Sequence, residues 1–127
     1  MAKSSPALDR ALGLLLPLGD VRPRAMFGGW GLYLDGVMFA LIAYETLYLK
    51  VDGQTKEAFA AAGGQPFQYE REGRKPVEMS YWTLPEEHMA DPAALLPWAE
   101  RAVTAAQRNA AKKRSGRSAA KRQSARG

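Results

Sequence analysis

The chain contains one histidine, His88, and three acidic residues flank it: Glu86, Glu87 and Asp91. An imidazole beside carboxylates is used in metal sites and in general acid–base catalysis. A single imidazole among loop carboxylates is nevertheless a poor transition-metal site, because such sites gather several nitrogen or sulfur ligands. We therefore expect a solvated loop. The alternative is a small enzyme or ligand-binding domain that uses the His88 loop.

Two further motifs fall short of a catalytic or nucleotide-binding set. Ser80 has no evident base or oxyanion partner in the sequence. The glycines at 28, 29 and 31 lack the Gly-Lys-Ser/Thr ending of a phosphate loop, and Leu34 stands where the third glycine of a dinucleotide fingerprint belongs. We expect a bulge or tight turn there. The sequence thus predicts a protein that is not an enzyme, and it supports no catalytic residue, cofactor or metal ligand.

Aromatic side chains interleaved with cations are the next candidate site. The aromatic residues are Tyr33, Tyr48, Tyr69, Tyr81 and Trp82, and the cations are Arg24, Lys50 and Arg71. Exposed aromatics beside basic residues can stack the bases of single-stranded nucleic acid. The same residues would form a protein interface or homodimer if several shared an exposed face, and aromatics also fill ordinary sheet cores. All three interpretations remain open at this stage.

The strongest charge feature is a basic tail, residues 108–127, which holds eight cations and no acid. These cations are Arg108, Lys112, Lys113, Arg114, Arg117, Lys121, Arg122 and Arg126. The preceding 107 residues carry 10 basic and 13 acidic groups, a net charge of −3. Because the tail has no large apolar side chain to bury, we expect it to be disordered. It could contact DNA or RNA weakly without sequence preference, or simply keep the protein soluble.

Length and composition indicate one folded domain, residues 1–107, followed by the basic tail. The chain has 127 residues, 46% of them hydrophobic, and no cysteine. Its longest apolar runs are far shorter than the roughly 20 residues of a membrane helix, and the tail lacks the apolar residues that insert into a membrane surface. Asp9 and Arg10 interrupt the only stretch that resembles a signal peptide. We expect a cytoplasmic protein.

Three helices are predicted from caps and apolar periodicity. The first begins at Ser5–Pro6 and has an apolar stripe formed by Leu8, Ala11, Leu12, Leu15 and Leu16. The second is capped by Asp52 or Thr55 and extends through Ala62. The third begins at Asp91–Pro92, and Pro97 should interrupt it, because an interior proline removes a hydrogen bond and clashes with the preceding turn. Its inward residues would be Leu95, Trp98, Ala99, Ala102, Val103 and Ala106.

Alternating apolar residues predict antiparallel strands between the helices. The predicted strands are residues 22–27, 30–34, 37–43, 47–51, 66–71 and 77–84. Asp35–Gly36 is a strong two-residue hairpin signal, a turn is expected at Glu45–Thr46, and residues 72–75 should turn a last hairpin. The third strand is apolar on both faces, which favours a central position. The fold class is therefore α+β, with an antiparallel sheet of about five to six strands and packed helices.

The order of these landmarks resembles the N-terminal domain of the TfoX family, described as regulators of competence-specific genes. The resemblance rests on residues 24–29 (RAMFGG), 31–33 (GLY), 39–42 (FALI), 47–52 (LYLKVD), 66–67 (PF) and 79–82 (MSYW), followed by Pro85. It covers about residues 8–106 and implies a two-layer α+β domain similar to secretion-chaperone-like folds. It also implies a regulatory or protein-interaction module, acting in transcription or competence regulation, without catalytic residues. Longer family members carry a second domain, and here the basic tail stands in its place.

Overall fold

A computed structural model describes residues 5–26, 29–71 and 74–126, with the side chains of 5–26, 29–67 and 80–112. The helices are α1 (Pro6–Leu14), α2 (Lys56–Ala61) and α3 (Pro92–Arg126), with short 3₁₀ turns at Leu16–Leu18 and Glu86–His88. The strands are β1 (Arg22–Met26), β2 (Gly29–Leu34), β3 (Val37–Ala43), β4 (Thr46–Lys50), β5 (Pro66–Arg71) and β6 (Arg74–Trp82). None of the helices within these residues combines the length and apolarity needed to cross a membrane.

The six strands form one antiparallel sheet in the order β1-β2-β3-β4-β6-β5, which confirms the α+β class and the inner position of β3. Asp35 and Gly36 turn the β2–β3 hairpin with φ angles of 52° and 79°, as the sequence predicts. The β3–β4 turn is formed by Tyr44 and Glu45, one residue earlier than predicted. β6 begins at Arg74, so residues 74 and 75 belong to the strand instead of the predicted 72–75 turn, and residues 72–73 lie outside the described residues.

One face of the sheet carries the core. Leu32, Ala40, Leu49 and Trp82 lie side by side across four strands, and all four are buried. α3 contacts β3 and β4, and α1 contacts β4, so this layer of helices covers the core face. Because side chains alternate along a strand, the intervening residues point to the opposite face. We call it the open face, and its described residues include Arg24, Met26, Tyr33, Met38, Leu41, Tyr48, Lys50, Phe67 and Tyr81.

α1 begins where the sequence predicts. Ser5 is its N-cap, and the Ser5 hydroxyl accepts a 3.2 Å hydrogen bond from the Leu8 backbone N–H. Leu8, Ala11 and Leu15 are buried. The prediction that Leu16 belongs to the apolar stripe is wrong, since its side chain is 74% exposed. α1 ends at Leu14 and the chain tightens into a 3₁₀ turn, which rotates Leu16 away from the core.

α3 is continuous through Pro97, so the predicted interruption is wrong. Asp91 caps the helix by accepting a 2.8 Å hydrogen bond from the Ala94 N–H. Pro97 lies in the second turn, where its ring faces solvent and only the bond to the Ala93 carbonyl is lost. The predicted inward residues are confirmed: Leu95, Ala99, Ala102 and Ala106 are buried, and Trp98 and Val103 pack against the core.

The basic tail differs from the predicted disorder, because α3 continues through it to Arg126. Fourteen of its 20 residues are Ala, Lys, Arg or Gln, which are strong helix formers. The tail also follows directly on a helix already nucleated by the core, so it avoids the unfavourable first turn that limits isolated helices.

Candidate interaction surface on the open face of the sheet

The open face gathers aromatic and aliphatic side chains that do not join the helix-covered core. Register places Leu41 opposite Tyr48, Tyr33 opposite Met38, and Lys50 opposite Tyr81. These residues are half-buried apart from Lys50, which is buried. Gly31 allows Met26 and Met38 to pack closely over β2, because a Cβ at position 31 would lie only 2.9 Å from each of their sulfurs. The strands therefore present a continuous apolar surface rather than scattered side chains.

The aromatic rings of this face already have partners within the domain. The Arg24 guanidinium lies 5.5 Å from the centre of the Tyr33 ring, and the Lys50 ammonium lies 5.1 Å from that of Tyr81. The rings of Tyr48 and Phe67 are 5.0 Å apart at an interplanar angle of 57°. Bases stack on freely accessible ring faces. Each of these rings already has a neighbour within the domain, which makes it a less accessible stacking surface for a base.

The two hydroxyls nearest the centre of the face stay protonated at neutral pH. Burial, with a smaller contribution from Tyr33, raises the pKa of Tyr81 to about 12. Burial, with a smaller contribution from Tyr44, also raises the pKa of Tyr48. The Lys50 ammonium donates a 2.6 Å hydrogen bond to the Ser80 hydroxyl. The face thus offers hydrogen-bond donors and positive charge within an apolar surround.

Tyr44 extends this surface at the β3–β4 turn, and the sequence analysis missed it. Its side chain is 86% exposed, and its ring centre lies 6.5 Å from that of Phe67. Its φ angle of 52° is left-handed, a conformation that normally favours Gly, Asn or Asp. The adjacent Glu45, at φ 57°, accepts a 2.7 Å hydrogen bond from the Ser5 hydroxyl at the start of α1. Glu45 thus has a structural role in this turn, whereas Tyr44 supports little of the fold.

The predicted aromatic set is only partly assembled. Tyr33, Tyr48 and Tyr81 share the open face with the cations Arg24 and Lys50. Trp82 lies on the core face and is 7% exposed, where it aligns with Leu49 in the buried row, so the core interpretation applies to it. The side chains of Tyr69 and Arg71 lie outside the described residues. Tyr44 and Phe67 could have been found from their positions at a two-residue turn and beside Pro66.

The His88 loop does not assemble a catalytic or metal-binding group. The His88 ring lies edge-on to Trp98, with ring centres 5.2 Å apart. Glu86 forms an ion pair with Arg10, and Asp91 caps α3, so both carboxylates are engaged with groups other than the His88 ring. In the part of the chain that the structure describes, no three His, Cys, Asp or Glu residues cluster as metal ligands.

A cleft beside this loop is also too small for an ordinary substrate site. Its volume is about 170 Å³, below the several hundred Å³ of typical small-molecule pockets, and Arg10 and Glu86 pair across its rim. The glycine run is not a phosphate-binding loop in the residues described. Gly31 lies within β2 as the predicted strand 30–34 requires, Gly29 belongs to the strand instead of the turn, and Gly28 lies outside the described residues.

The basic tail joins the domain through its first cation. Asp52, after β4, accepts hydrogen bonds of 2.6 and 3.1 Å from the guanidinium of Arg108. The Arg108 hydrogen bonds hold the pKa of Asp52 at about 2, helped by the N–H groups of Gln54 and Thr55. Lys112 is exposed. The side chains of Lys113, Arg114, Arg117, Lys121, Arg122 and Arg126 lie outside the described residues.

Comparison with known proteins points to one family. The family model described as the TfoX N-terminal domain matches residues 13–106. A curated relative, the DNA transformation protein TfoX1 of Aliivibrio fischeri, is 27% identical over 95 residues. This alignment covers 75% of the present chain and 45% of the relative, so the chain spans about half the relative's length.

Proposed function

The chain belongs to the TfoX N-terminal domain family, and we propose that it is a non-enzymatic regulatory module that binds a protein partner through its open face. The name of the relative links the family to DNA transformation, so the proposed setting is the control of competence. No catalytic cluster has been found in the described residues, and the best-formed surface is apolar. Binding, rather than catalysis, is the function that this geometry supports.

Tyr44 is the observation that carries the proposal. An aromatic residue in the left-handed region costs roughly 1 kcal/mol or more, and such strain concentrates at functional sites. The Tyr44 side chain does not recover this cost by burial, because it is 86% exposed. A large, nearly fully exposed ring beside the half-buried Phe67 and Tyr48 is the kind of anchor that dominates binding energy in protein interfaces.

The positive charge of the open face indicates which kind of partner would bind there. Its charged strand residues, among those described, are Arg22, Arg24 and Lys50, and Arg22 pairs with Asp20. A second copy would bring the same cations against this face, which is unfavourable. The surface instead fits a protein segment with aromatic or aliphatic anchors flanked by carboxylates. The Tyr48 and Tyr81 hydroxyls would donate hydrogen bonds to such carboxylates.

Site-specific photo-crosslinking in the protein's native cells tests this proposal. p-Benzoylphenylalanine replaces Tyr44 in one full-length variant and Leu16 in a matched control, because Leu16 is also exposed but follows α1 on the helical side. We expect a discrete crosslinked protein from position 44 that is absent from position 16. Mass spectrometry of the crosslinked peptide should locate it in an acidic segment of the partner.

Three results would overturn the proposal. Equal crosslinking from both positions would show that the open face is not selective. A crosslink of the chain to itself would identify a homodimer, and a crosslink to nucleic acid would restore the stacking-platform interpretation. Loss of the crosslink on adding Arg24→Glu would support the acidic partner, since Arg24 is exposed and its replacement leaves the core intact.

A further inference from the structure

We propose that the basic tail is a helical arm that binds the phosphate backbone of duplex nucleic acid without sequence preference. This inference is independent of the open face, because it concerns the other end of the chain. It begins from the continuation of α3 to Arg126, which gives the eight cations a common axis. A disordered segment would not fix their spacing.

The average density of cations along the helix axis is close to that of the phosphates along one DNA strand. Residues 108–126 form 19 residues of helix, about 28 Å long at a rise of about 1.5 Å per residue. Eight cations over that length give one positive charge per roughly 3.5 Å. Each strand of a DNA duplex carries one phosphate per about 3.4 Å. The tail thus has about the same charge per unit length as one DNA strand, and it is as long as about eight base pairs.

The tail has no internal counter-charge. It contains no acid, and basic residues recur four apart at Lys113 and Arg117, at Arg117 and Lys121, and at Arg122 and Arg126. Like charges at this spacing destabilise a helix. Phosphates lying along the helix would relieve the repulsion. Binding should therefore stabilise the tail helix against heat, whereas a purely solubilising tail would gain no stability.

The domain holds the start of this arm in place. Ala105 and Ala106 are buried, and Arg108 is bound to Asp52 by two hydrogen bonds. No flexible linker separates the core from the tail, because one helix spans both. Since Arg108 is engaged with Asp52, the number of cations that can meet phosphate falls from eight to seven.

The test uses the full chain and two unrelated, fluorescein-labelled 24-base-pair duplexes, titrated at several salt concentrations between 50 and 200 mM. Seven contacts set a limit near −6 for the slope of log K against log salt, and we expect a slope between about −3 and −6. The two duplexes should bind within about threefold of each other. Circular dichroism at 222 nm should show that the helix signal of the bound chain persists to a higher temperature.

Two multiple variants locate the contact. Combined Arg117→Gln, Lys121→Gln and Arg122→Gln should flatten the slope by up to about 2.7, since each lost contact removes about 0.9. The control, combined Arg10→Gln and Arg101→Gln, removes two exposed cations that lie outside both the tail and the open face, and it should leave the slope unchanged.

Other outcomes would overturn the inference. If poly-glutamate of the same charge bound as tightly as the duplex at the same salt concentration, the arm would be a general polyanion-binding segment without preference for phosphate. Tighter binding to phosphatidylglycerol vesicles would assign it to membranes. Absence of duplex binding at 50 mM salt, an unchanged melting curve of the helix signal, or a tenfold preference between the two duplexes would each contradict the proposal.

Discussion

Asp52 accepts two hydrogen bonds from Arg108, 56 residues further along the chain, at 2.6 and 3.1 Å. The same carboxylate accepts hydrogen bonds from the N–H groups of Gln54 and Thr55, which shape the turn into α2. One side chain therefore ties the end of β4, the start of α2 and the last core turn of α3 together. This arrangement places the first cation of the basic tail within the folded unit.

The Asp52–Arg108 pair should make stability depend on acid pH. The pKa of Asp52 falls from 3.8 to about 2 on folding, so its stabilisation is fully present above pH 3.8 and is lost as the pH falls towards 2. Asp52→Asn keeps the turn but weakens the ion pair. We expect it to lower the free energy of unfolding at pH 7 by about 1 kcal/mol, or about 4 °C in Tm.

Thermal unfolding of both proteins between pH 7 and pH 2.5 checks this prediction. The difference in Tm should be constant down to about pH 5 and shrink below the unfolded-state pKa. Asp20→Asn is the control: its pair with Arg22 is more than three-quarters exposed, and its loss should change little. A difference in Tm that persists undiminished at pH 2.5 would show that Asp52 acts through its turn alone.

Tyr44→Asn should stabilise the domain while weakening partner binding. Asparagine tolerates the left-handed conformation at a type I′ turn better than tyrosine does, and the Tyr44 ring is mostly exposed. We expect a gain of about 1 kcal/mol, seen as a rise of about 4 °C in Tm. Asp35→Asn at the other hairpin should be neutral, because both residues suit that turn. A destabilised Tyr44→Asn variant would mean that the ring supports the fold.

Pro97→Ala should also stabilise the domain, by more than about 1 kcal/mol. The substitution restores a backbone donor to the Ala93 carbonyl at an exposed site, and an interior proline costs a helix about 3 kcal/mol relative to alanine. Pro92→Ala is the matched control, because proline at the first helical position loses no bond. Chemical denaturation of the three proteins measures both effects. A neutral Pro97→Ala would indicate that the surrounding turn has already adapted to the ring.

The sequence predicted the local elements well because caps and alternation are local signals. Ser5 and Asp91 cap the helices they were expected to cap, and residues 37–43 and 66–71 are strands with the predicted bounds. The interruption predicted at Pro97 is wrong. There the continuity of a helix whose buried face packs on the core outweighs the local preference of proline, and that packing has no local signal in the sequence.

The open face was predicted only as one of three alternatives. Alternation assigns Tyr48 and Lys50 to one face, but it cannot say which face the helices cover. Trp82 was grouped with Tyr81, although neighbouring residues in a strand point to opposite sides. The Asp52–Arg108 contact spans 56 residues and has no local signal. Tyr44 was not singled out, because the turn was predicted one residue later, at Glu45–Thr46.

The most direct test of the open face is the dissociation constant for the partner segment identified by crosslinking, measured by titration calorimetry with four full-length proteins. These are the wild type, Tyr44→Asn, Arg24→Glu and, as the control, Leu16→Ser. We predict at least tenfold weaker binding for Tyr44→Asn and for Arg24→Glu, and no change for Leu16→Ser. Equal affinity of all four proteins, or weakening by Leu16→Ser alone, would contradict the open face as the interaction surface.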